Sequence, residues 1–128
     1  MTRQAVSTPG APAALGPYSQ GIVTAGFVFC SGQLGLDPAT GDLAVGVEAQ
    51  ADRALRNLSA VLDTAGCTFA DVVKTTIFLA DISDFAAINA VYARYVTDPP
   101  PARSTFAVGA LPKGGLIEIE MTAVRPGV

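Results

Sequence analysis

One apolar stripe constrains the fold of this chain more strongly than any other feature of the sequence. Between residues 47 and 65, apolar side chains recur every three or four positions, at Val47, Ala51, Leu55, Leu58, Leu62 and Ala65. This spacing predicts an α-helix with one face in a core, because residues three and four apart lie on the same side of a helix. Gly66 follows the stripe, and glycine is a common residue just after a helix. Such a helix needs a sheet or another helix against its apolar face.

The other apolar segments are short and rich in β-branched and aromatic residues, which predicts strands. The predicted strands cover residues 3–6, 21–24, 27–31, 72–80, 103–108 and 116–124. Ala25-Gly26 is predicted as a hairpin turn, and the lack of alternation in residues 72–80 indicates a strand covered on both faces. Ser83 or Asp84 should cap a second helix that runs to about Val96. The apolar stripe of this helix is Phe85, Ile88, Tyr92 and Tyr95.

The order of these elements, β-β-β-α-β-α-β-β, predicts an α+β fold in which both helices pack on one face of a mixed six-stranded sheet. The 128 residues fit a single domain covering residues 1–128. Half of the residues are hydrophobic and only 15% are charged, whereas an average soluble chain carries about 25% charged residues. This composition excludes intrinsic disorder. It also predicts that the chain buries part of its surface against copies of itself.

The charge and the cysteine content argue against several classes of function. Eight basic and eleven acidic residues leave a net charge of −3, which argues against nucleic-acid binding and against a polybasic membrane contact. The first ten residues lack the apolar core of a signal peptide, and no apolar run approaches the roughly 18 residues of a membrane span. Two cysteines, Cys30 and Cys67, do not form a disulfide framework. We therefore expect a cytoplasmic protein.

The chain contains no histidine, and this limits its chemistry further. Ser-His-Asp and Cys-His sites need histidine, and two cysteines alone cannot complete a tetrahedral zinc site. The glycine-rich phosphate-binding motifs GxGxxG and GxxxxGKS/T are also missing from the sequence. Any catalysis would have to use arginine, carboxylates, hydroxyl groups, lysine, backbone groups and water.

The last two predicted strands carry the strongest candidate residues. Glu118 and Glu120 share one face of the last strand, and neighbouring carboxylates raise each other's pKa, which suits acid–base catalysis. A solvated strand face is the alternative interpretation. Arg103 follows a proline-stiffened segment and could bind a carboxylate through two parallel hydrogen bonds. A salt bridge from Arg103 to either glutamate is an equally good interpretation.

Three weaker signals lie elsewhere. Tyr18 follows Gly16-Pro17, where a phenol could cover a small pocket, although turn chemistry alone explains the segment. Ser31-Gly32 leaves what is predicted as a strand end, where backbone groups often face a ligand. Asn89 interrupts the second helix, and either surface exposure or a hydrogen-bonding partner explains a polar residue there.

Six segments, in order along nearly the whole chain, carry a family resemblance. They are APAALGPYSQG at 11–21, CSGQL at 30–34, VKTTIFL at 73–79, DFAAINAVY at 84–92, PARST at 101–105 and LPKGGLIEIEMTAVR at 111–125. Together they resemble the RidA (YjgF) family of enamine/imine deaminases. The resemblance implies a chorismate-mutase-like α+β fold. It also implies a homotrimer in which the sheets form a barrel and the sites lie between subunits.

The resemblance further implies the roles of individual residues. Arg103 would hold the substrate carboxylate, and Glu118 would position or activate a water molecule. The residues that line the substrate site would be Tyr18, Ser31, Gly32, Asn89 and Thr105. Thr105 departs from the cysteine that many members carry, which brings into question the substrate range and the rate more than the reaction type.

The implied reaction is the hydrolysis of 2-iminoacids, such as 2-iminopropanoate and 2-iminobutanoate, or of their enamine tautomers, to 2-oxoacids and ammonia. It would need no cofactor and no metal, and its partner would be a small-molecule iminoacid. A second interpretation is a non-catalytic 2-oxoacid-binding protein on the same trimeric fold, a sensor or holdase-like partner. Retained Arg103 with altered Thr105 fits that interpretation too. A nucleic-acid or translation-inhibiting role, attached to some relatives, fits poorly with the net charge of −3.

Overall fold

Six strands and two α-helices follow one another along residues 2–127, the part of the chain that the computed structural model describes. The predicted domain boundaries, residues 1 and 128, lie outside the described residues. The strands are β1 Gln4–Val6, β2 Gly21–Thr24, β3 Phe27–Leu34, β4 Val72–Leu79, β5 Ala102–Ala107 and β6 Ile117–Val124. The helices are α1 Val47–Thr64 and α2 Phe85–Tyr92.

The six strands form one mixed sheet in the order β1-β2-β3-β6-β4-β5. Neighbouring strands are antiparallel, except that β4 and β5 run parallel. Helix α1 packs on β3, on β6 and on α2, and α2 reaches β4 through a buried contact between Tyr92 and Thr75. The predicted α+β fold, with both helices on one face of a mixed six-stranded sheet, is confirmed.

Helix α1 forms where the apolar stripe predicts it. Its stripe residues are buried except Val47, which is half-buried, and each fully buried leucine contributes about 1.5–3 kcal/mol relative to an exposed one. Gly66 ends the helix with a φ of 82°. The Cys67 N–H then donates to the Leu62 carbonyl at 2.8 Å, and the Gly66 N–H donates to the Asp63 carbonyl at 3.0 Å. This pair of bonds is the Schellman motif, which satisfies carbonyls at a helix end.

Helix α2 begins where predicted but is shorter than predicted. Asp84 is its N-cap residue, although the Asp84 side chain forms no capping hydrogen bond. The helix ends at Tyr92 and not near Val96, because the turn tightens there: the Tyr95 N–H donates to the Tyr92 carbonyl three residues back, at 3.0 Å. The segment before the helix is a separate 3-10 turn, and Asp81 caps that turn by accepting from the Ser83 N–H.

The two faces of the sheet differ sharply. On β6, Ile117, Ile119 and Met121 are buried under the helices. The opposite face, which we call the open face, is uncovered in the single chain and carries large apolar side chains. These include Phe27, Phe29, Phe106 and Val124, each more than 40% exposed. The prediction that residues 72–80 are covered on both faces is wrong for the single chain, because Lys74 on the open face is exposed.

No helix among residues 2–127 is long and apolar enough to cross a membrane.

Candidate functional site

Glu118 lies on the open face, on an interior strand and near one end of that strand. It is on β6 between Leu34 of β3 and Phe78 of β4, its register partners on either side, and it is half-buried. Burial raises the pKa of the Glu118 carboxyl, and the charge of Glu120, two residues along on the same face, raises it further. The predicted effect of a neighbouring carboxylate therefore holds for Glu118, where it is second to burial. A raised pKa brings a carboxyl closer to the range in which it can exchange protons near neutral pH.

Gly32 makes room for the Glu118 side chain. The pairing of β3 with β6 is irregular between Cys30 and Gln33, so Ser31-Gly32 lies at a bulge inside the strand. The prediction that these two residues lie at a strand end is wrong. A Cβ on Gly32 would lie 2.8 Å from Glu118 Cδ and 3.0 Å from Oε2. Glycine is therefore required for the Glu118 carboxyl to lie against the backbone of β3.

Ser31 ties this bulge to the irregular loop that precedes β2. Its hydroxyl donates to the Ser19 carbonyl at 2.5 Å, and its N–H donates to the Gln20 carbonyl at 3.0 Å. The Ser31 side chain is thus already hydrogen-bonded within the chain, and Gly32 is the residue of the bulge that lies against Glu118. Glu118, Ser31 and Gly32 together are called the Glu118 cluster below.

Gln20 holds the loop together and was missed by the sequence reasoning. Its side chain is buried; Oε1 accepts from the Thr8 N–H at 2.7 Å. Nε2 lies within hydrogen-bond distance of the Thr8, Ala11 and Pro12 carbonyls. The sequence signal for this role was a glutamine at the end of a proline-rich loop. Carbonyl groups in such a loop need hydrogen-bond donors, and proline has no N–H to supply one.

Tyr18 lies on the same loop, two residues before Gln20. It is 55% exposed, and its N–H donates to the Gly16 carbonyl at 2.8 Å. It lines a cavity of about 680 Å³ together with parts of β1 and the loop. The single chain therefore leaves Tyr18 free to contact something outside it.

Arg103 lies on the other face of the sheet, at its edge. It is on β5, the outermost strand, beside Thr75 of β4, and both residues point toward α2. The Arg103 Cζ is 5.0 Å from the ring centroid of Tyr92 and 5.4 Å from that of Phe85, close enough for cation–π attraction. A cavity of about 360 Å³ opens beside Arg103 and is lined also by Asn89, Tyr92 and Pro101.

Two buried oxygen atoms near Arg103 lack hydrogen-bond partners among residues 2–127. They are Asn89 Oδ1 on α2 and Thr105 Oγ1 on β5, and Thr105 is two residues from Arg103 on the same side of the strand. Surface exposure therefore does not explain Asn89, since its carbonyl oxygen is buried. Leaving a buried polar atom without a hydrogen bond costs free energy. Binding of a ligand or another chain that donates a hydrogen bond to these atoms would remove that cost and would therefore be favoured. Arg103, Asn89 and Thr105 together are called the Arg103 cluster.

The single chain does not bring the two clusters together. Glu118 and Glu120 are on the open face of β6, Arg103 is on the helix side of β5, and β4 runs between the two strands. A salt bridge from Arg103 to either glutamate within one chain is therefore ruled out, and Arg103 forms no ion pair within 4.0 Å among residues 2–127. A site that uses both Arg103 and Glu118 needs residues from two chains.

Sequence reasoning placed Phe85 and Tyr92 only in the apolar stripe of α2. The structure adds their contact with Arg103. The sequence contained a signal for this contact. Phe85 and Tyr92 are seven residues apart and therefore lie on one side of a helix, and one of them faces β5, the strand that carries Arg103.

Neither metal ligation nor thiol chemistry has support in the described part of the chain. Residues 2–127 contain no group of three or more Cys, Asp or Glu side chains that could hold a metal ion. Cys30 and Cys67 are free and buried, as expected for core cysteines. Burial raises the pKa of Cys30 to about 12 and also raises that of Cys67, so both remain thiols and poor nucleophiles near neutral pH.

Comparison with known proteins gives one consistent result. Residues 8–125 match the family model described as endoribonuclease L-PSP. The chain is 50% identical to 2-iminobutanoate/2-iminopropanoate deaminase from Capra hircus over 98% of this chain and 92% of that protein. The crystal structure of RidA from the Antarctic bacterium Psychrobacter sp. superposes with a TM-score of 0.92 at 45% identity, covering 94% of this chain and 98% of that one.

A third relative was solved with a ligand. The crystal structure of E. coli TdcF with bound serine superposes with a TM-score of 0.91 at 40% identity, covering 95% of this chain and 98% of that one. The matched family model, the near-complete coverage and the shared fold agree with the six motifs in the sequence. The chain therefore belongs to the RidA (YjgF) family.

Proposed function

We propose that this chain is a deaminase that hydrolyses 2-iminobutanoate, 2-iminopropanoate and their enamine tautomers to 2-oxoacids and ammonia. The observation that carries the proposal is the 50% identity to the Capra hircus deaminase over 98% of this chain. The geometry of the two clusters supports the roles given to individual residues.

Arg103 binds the substrate carboxylate. It forms no ion pair among residues 2–127, so its donors are available, and a guanidinium binds a carboxylate through two parallel charge-assisted hydrogen bonds. The adjoining cavity of about 360 Å³ offers space for a molecule the size of an iminoacid. Asn89 Oδ1 and Thr105 Oγ1, which have no hydrogen-bond partner within the described residues, contact the polar groups of the bound substrate.

Glu118 acts on the water molecule that attacks the imine carbon. The water oxygen forms a bond to that carbon as the C=N π electrons move to nitrogen, and Glu118 accepts a proton from the water. Glu118 then returns this proton to the amine nitrogen of the tetrahedral intermediate. The C–N bond breaks to release ammonia as the C=O bond forms, and the hydroxyl proton passes to Glu118. The half-buried carboxylate also favours the protonated iminium, whose carbon is more electrophilic. Positioning and electrostatics are sufficient for this step, so the chain's own residues need no cofactor for it.

The backbone of Ser31-Gly32 and the side chain of Tyr18 complete the substrate site. Gly32 lies against Glu118, so N–H and carbonyl groups at the bulge are near the position of the attacked carbon. Tyr18, exposed in the single chain, covers the bound substrate from the loop.

The complete site is formed between subunits of a homotrimer. Arg103 and Glu118 point away from each other on opposite faces of the sheet in one chain, so only residues from two chains can act on one substrate. The open face, with its exposed Phe27, Phe29 and Phe106, supplies the apolar surface for such an assembly, since large exposed apolar patches commonly mark interfaces.

The protein acts in the cytoplasm on small molecules and not on nucleic acid or membranes. The net charge of −3 supports the exclusion of nucleic acid and membranes as partners, because sequence-independent nucleic-acid binding and binding to anionic lipids both need clustered positive charge.

Binding of a small carboxylate without turnover is the second candidate. Thr105 stands where many family members carry cysteine, while Arg103 is retained. A protein with this combination could bind a 2-oxoacid or an amino acid, as E. coli TdcF binds serine, without hydrolysing an imine.

One assay separates the two candidates. An amino-acid oxidase acting on alanine generates 2-iminopropanoate, and its disappearance is followed with and without this protein. We expect acceleration by the wild type and a loss of about 10²–10⁴-fold in kcat/KM in Arg103→Ala, because two charge-assisted hydrogen bonds are removed. No acceleration by a folded protein that still binds 2-oxobutanoate would overturn the deaminase proposal in favour of carboxylate binding. Full activity in Arg103→Ala would refute the role of Arg103.

A further inference from the structure

We infer that Tyr92, anchored by Thr75, is a positioning residue that holds Arg103 in the orientation needed to bind the substrate carboxylate. This inference deepens the proposed function and rests on it.

Thr75, Tyr92 and Arg103 form a closed triangle of contacts. Thr75 and Arg103 are register partners on the parallel strands β4 and β5. The Tyr92 hydroxyl shares a hydrogen bond of 2.8 Å with Thr75 Oγ1, and the Tyr92 ring centroid is 5.0 Å from Arg103 Cζ. Thr75 is 1% exposed and Tyr92 is 6% exposed, so water does not compete for this hydrogen bond. The tyrosine ring is therefore fixed relative to the strand that carries Arg103.

The aromatic contact leaves the guanidinium free to bind a ligand. Arg103 forms no ion pair among residues 2–127, and its close attractive contacts there are the rings of Tyr92 and Phe85. A cation–π contact uses no N–H donor in a hydrogen bond, so the planar set of donors stays available for a carboxylate.

Arg103 needs such support because of where it lies. β5 is the edge strand of the sheet, with a neighbouring strand on one side only, and arginine has many rotamers in solution. Strand pairing fixes the Cα atom but not the guanidinium, which is several bonds away. A ring held in place by Thr75 restricts the rotamers before the substrate arrives, and this lowers the entropic cost of binding.

The test uses three variants of the full-length protein. Tyr92→Phe and Thr75→Val remove the anchoring hydrogen bond and keep the ring, while Phe85→Leu removes one ring at an exposed position. For each, we expect KM for 2-iminobutanoate and the dissociation constant of 2-oxobutanoate to rise about three- to tenfold. We expect kcat to stay within about twofold of wild type, because lost ground-state binding raises KM alone.

Tyr95→Phe is the matched control. The Tyr95 hydroxyl donates to the Asp52 carboxylate of α1, and its ring contacts Phe69. Like Tyr92→Phe, this variant loses the hydrogen bond of a tyrosine hydroxyl, but at a position three residues after Tyr92. We expect its KM and its dissociation constant for 2-oxobutanoate to equal those of the wild type. The double variant Tyr92→Phe/Thr75→Val should be no weaker in binding than either single variant, since both remove the same bond.

The outcomes separate this inference from the proposed function. If Tyr92→Phe and Tyr95→Phe both lower the melting temperature but leave KM and the dissociation constant unchanged, Tyr92 is only a core residue and the inference is wrong. A fall in kcat at constant KM contradicts it as well. Wild-type protein that binds 2-oxobutanoate without turnover refutes the deaminase function alone, because the dissociation constants still test Tyr92. Wild-type protein that shows neither turnover nor binding refutes both.

Discussion

The Glu118 cluster and the Arg103 cluster are built in different ways. Glu118 is on a strand with neighbours on both sides, and a backbone bulge at Ser31-Gly32 shapes its surroundings. Arg103 is on the edge strand and is held by aromatic side chains from α2. Nearby, Asn89 Oδ1 and Thr105 Oγ1 have no hydrogen-bond partner among residues 2–127. The second cluster therefore contains buried side-chain oxygen atoms that are left unpaired within this part of the chain, whereas the first cluster contains none there.

This difference teaches how one small chain can supply two unlike parts of a site. A backbone-defined cluster should be sensitive to changes of a fraction of an ångström in the strand beneath it. In a cluster formed by side chains, a substitution should mainly change the affinity for the substrate. The reason is that the surrounding residues hold the charged guanidinium in one orientation and do not determine the shape of the backbone. The following predictions use this contrast, from the largest expected effect to the smallest.

Among these three predictions, the largest effect is expected from Gly32→Ala. A Cβ at this position would lie 2.8 Å from Glu118 Cδ, and the flexible glutamate side chain would move away. A displacement of about 1 Å at a catalytic group can cost about 10²-fold in rate, so we expect a fall of that order in kcat, measured with 2-iminobutanoate. Gly109→Ala is the control, because nothing lies within 4 Å of its added Cβ. Equal activity of the two variants would contradict the claim that the backbone at Gly32 determines the position of Glu118.

The second effect concerns stability and not chemistry. Gln20→Leu removes the side chain that satisfies the Thr8 N–H and the carbonyls of the loop. Leaving such groups unpaired costs about 2–4 kcal/mol in total, measured as the free energy of unfolding in urea. Gln4→Leu, at an exposed position on β1, should be nearly neutral. A neutral Gln20→Leu would show that the loop does not depend on this residue.

The smallest effect is expected in the pH dependence of the Glu118 cluster. Burial raises the pKa of Glu118 and the Glu120 charge raises it further, so kcat/KM should fall with decreasing pH through a pKa above that of an ordinary glutamate. Glu120→Gln removes one negative charge and should move this limb to lower pH. It should not restore the value of an exposed glutamate, because burial is the larger cause. A pH–rate profile unchanged in this variant would exclude coupling between the two carboxylates.

The sequence predicted the framework of the fold well, because local patterns determine it. The stripe in residues 47–65 and the positive-φ turn at Ala25-Gly26 are determined by nearby residues. The end of α2 was harder to predict. Tyr95 continues the apolar spacing of the helix and is half-buried, yet the backbone tightens after Tyr92, which side-chain spacing does not reveal.

The relative placement of the two clusters could not be predicted from spacing. Alternation along β5 separates Arg103 and Thr105 from Phe106, but it does not say which side faces the helices. An apolar residue usually faces the core, so Phe106 suggests the wrong side; it lies on the open face and is 45% exposed. Which face of β5 points toward the helices depends on the strand order of the sheet and on the apolar character of the open face. Both are properties of the whole fold.

The most direct measurement of our central claim is complementation between two inactive variants. Arg103→Ala and Glu118→Gln are each expected to be inactive alone and are mixed by unfolding and refolding together, with mixed assemblies verified by native mass spectrometry. If each site takes Arg103 from one chain and Glu118 from another, random mixing restores about a quarter of the sites, and deaminase activity returns to that level. Mixed assemblies that stay inactive would contradict a site built from two chains.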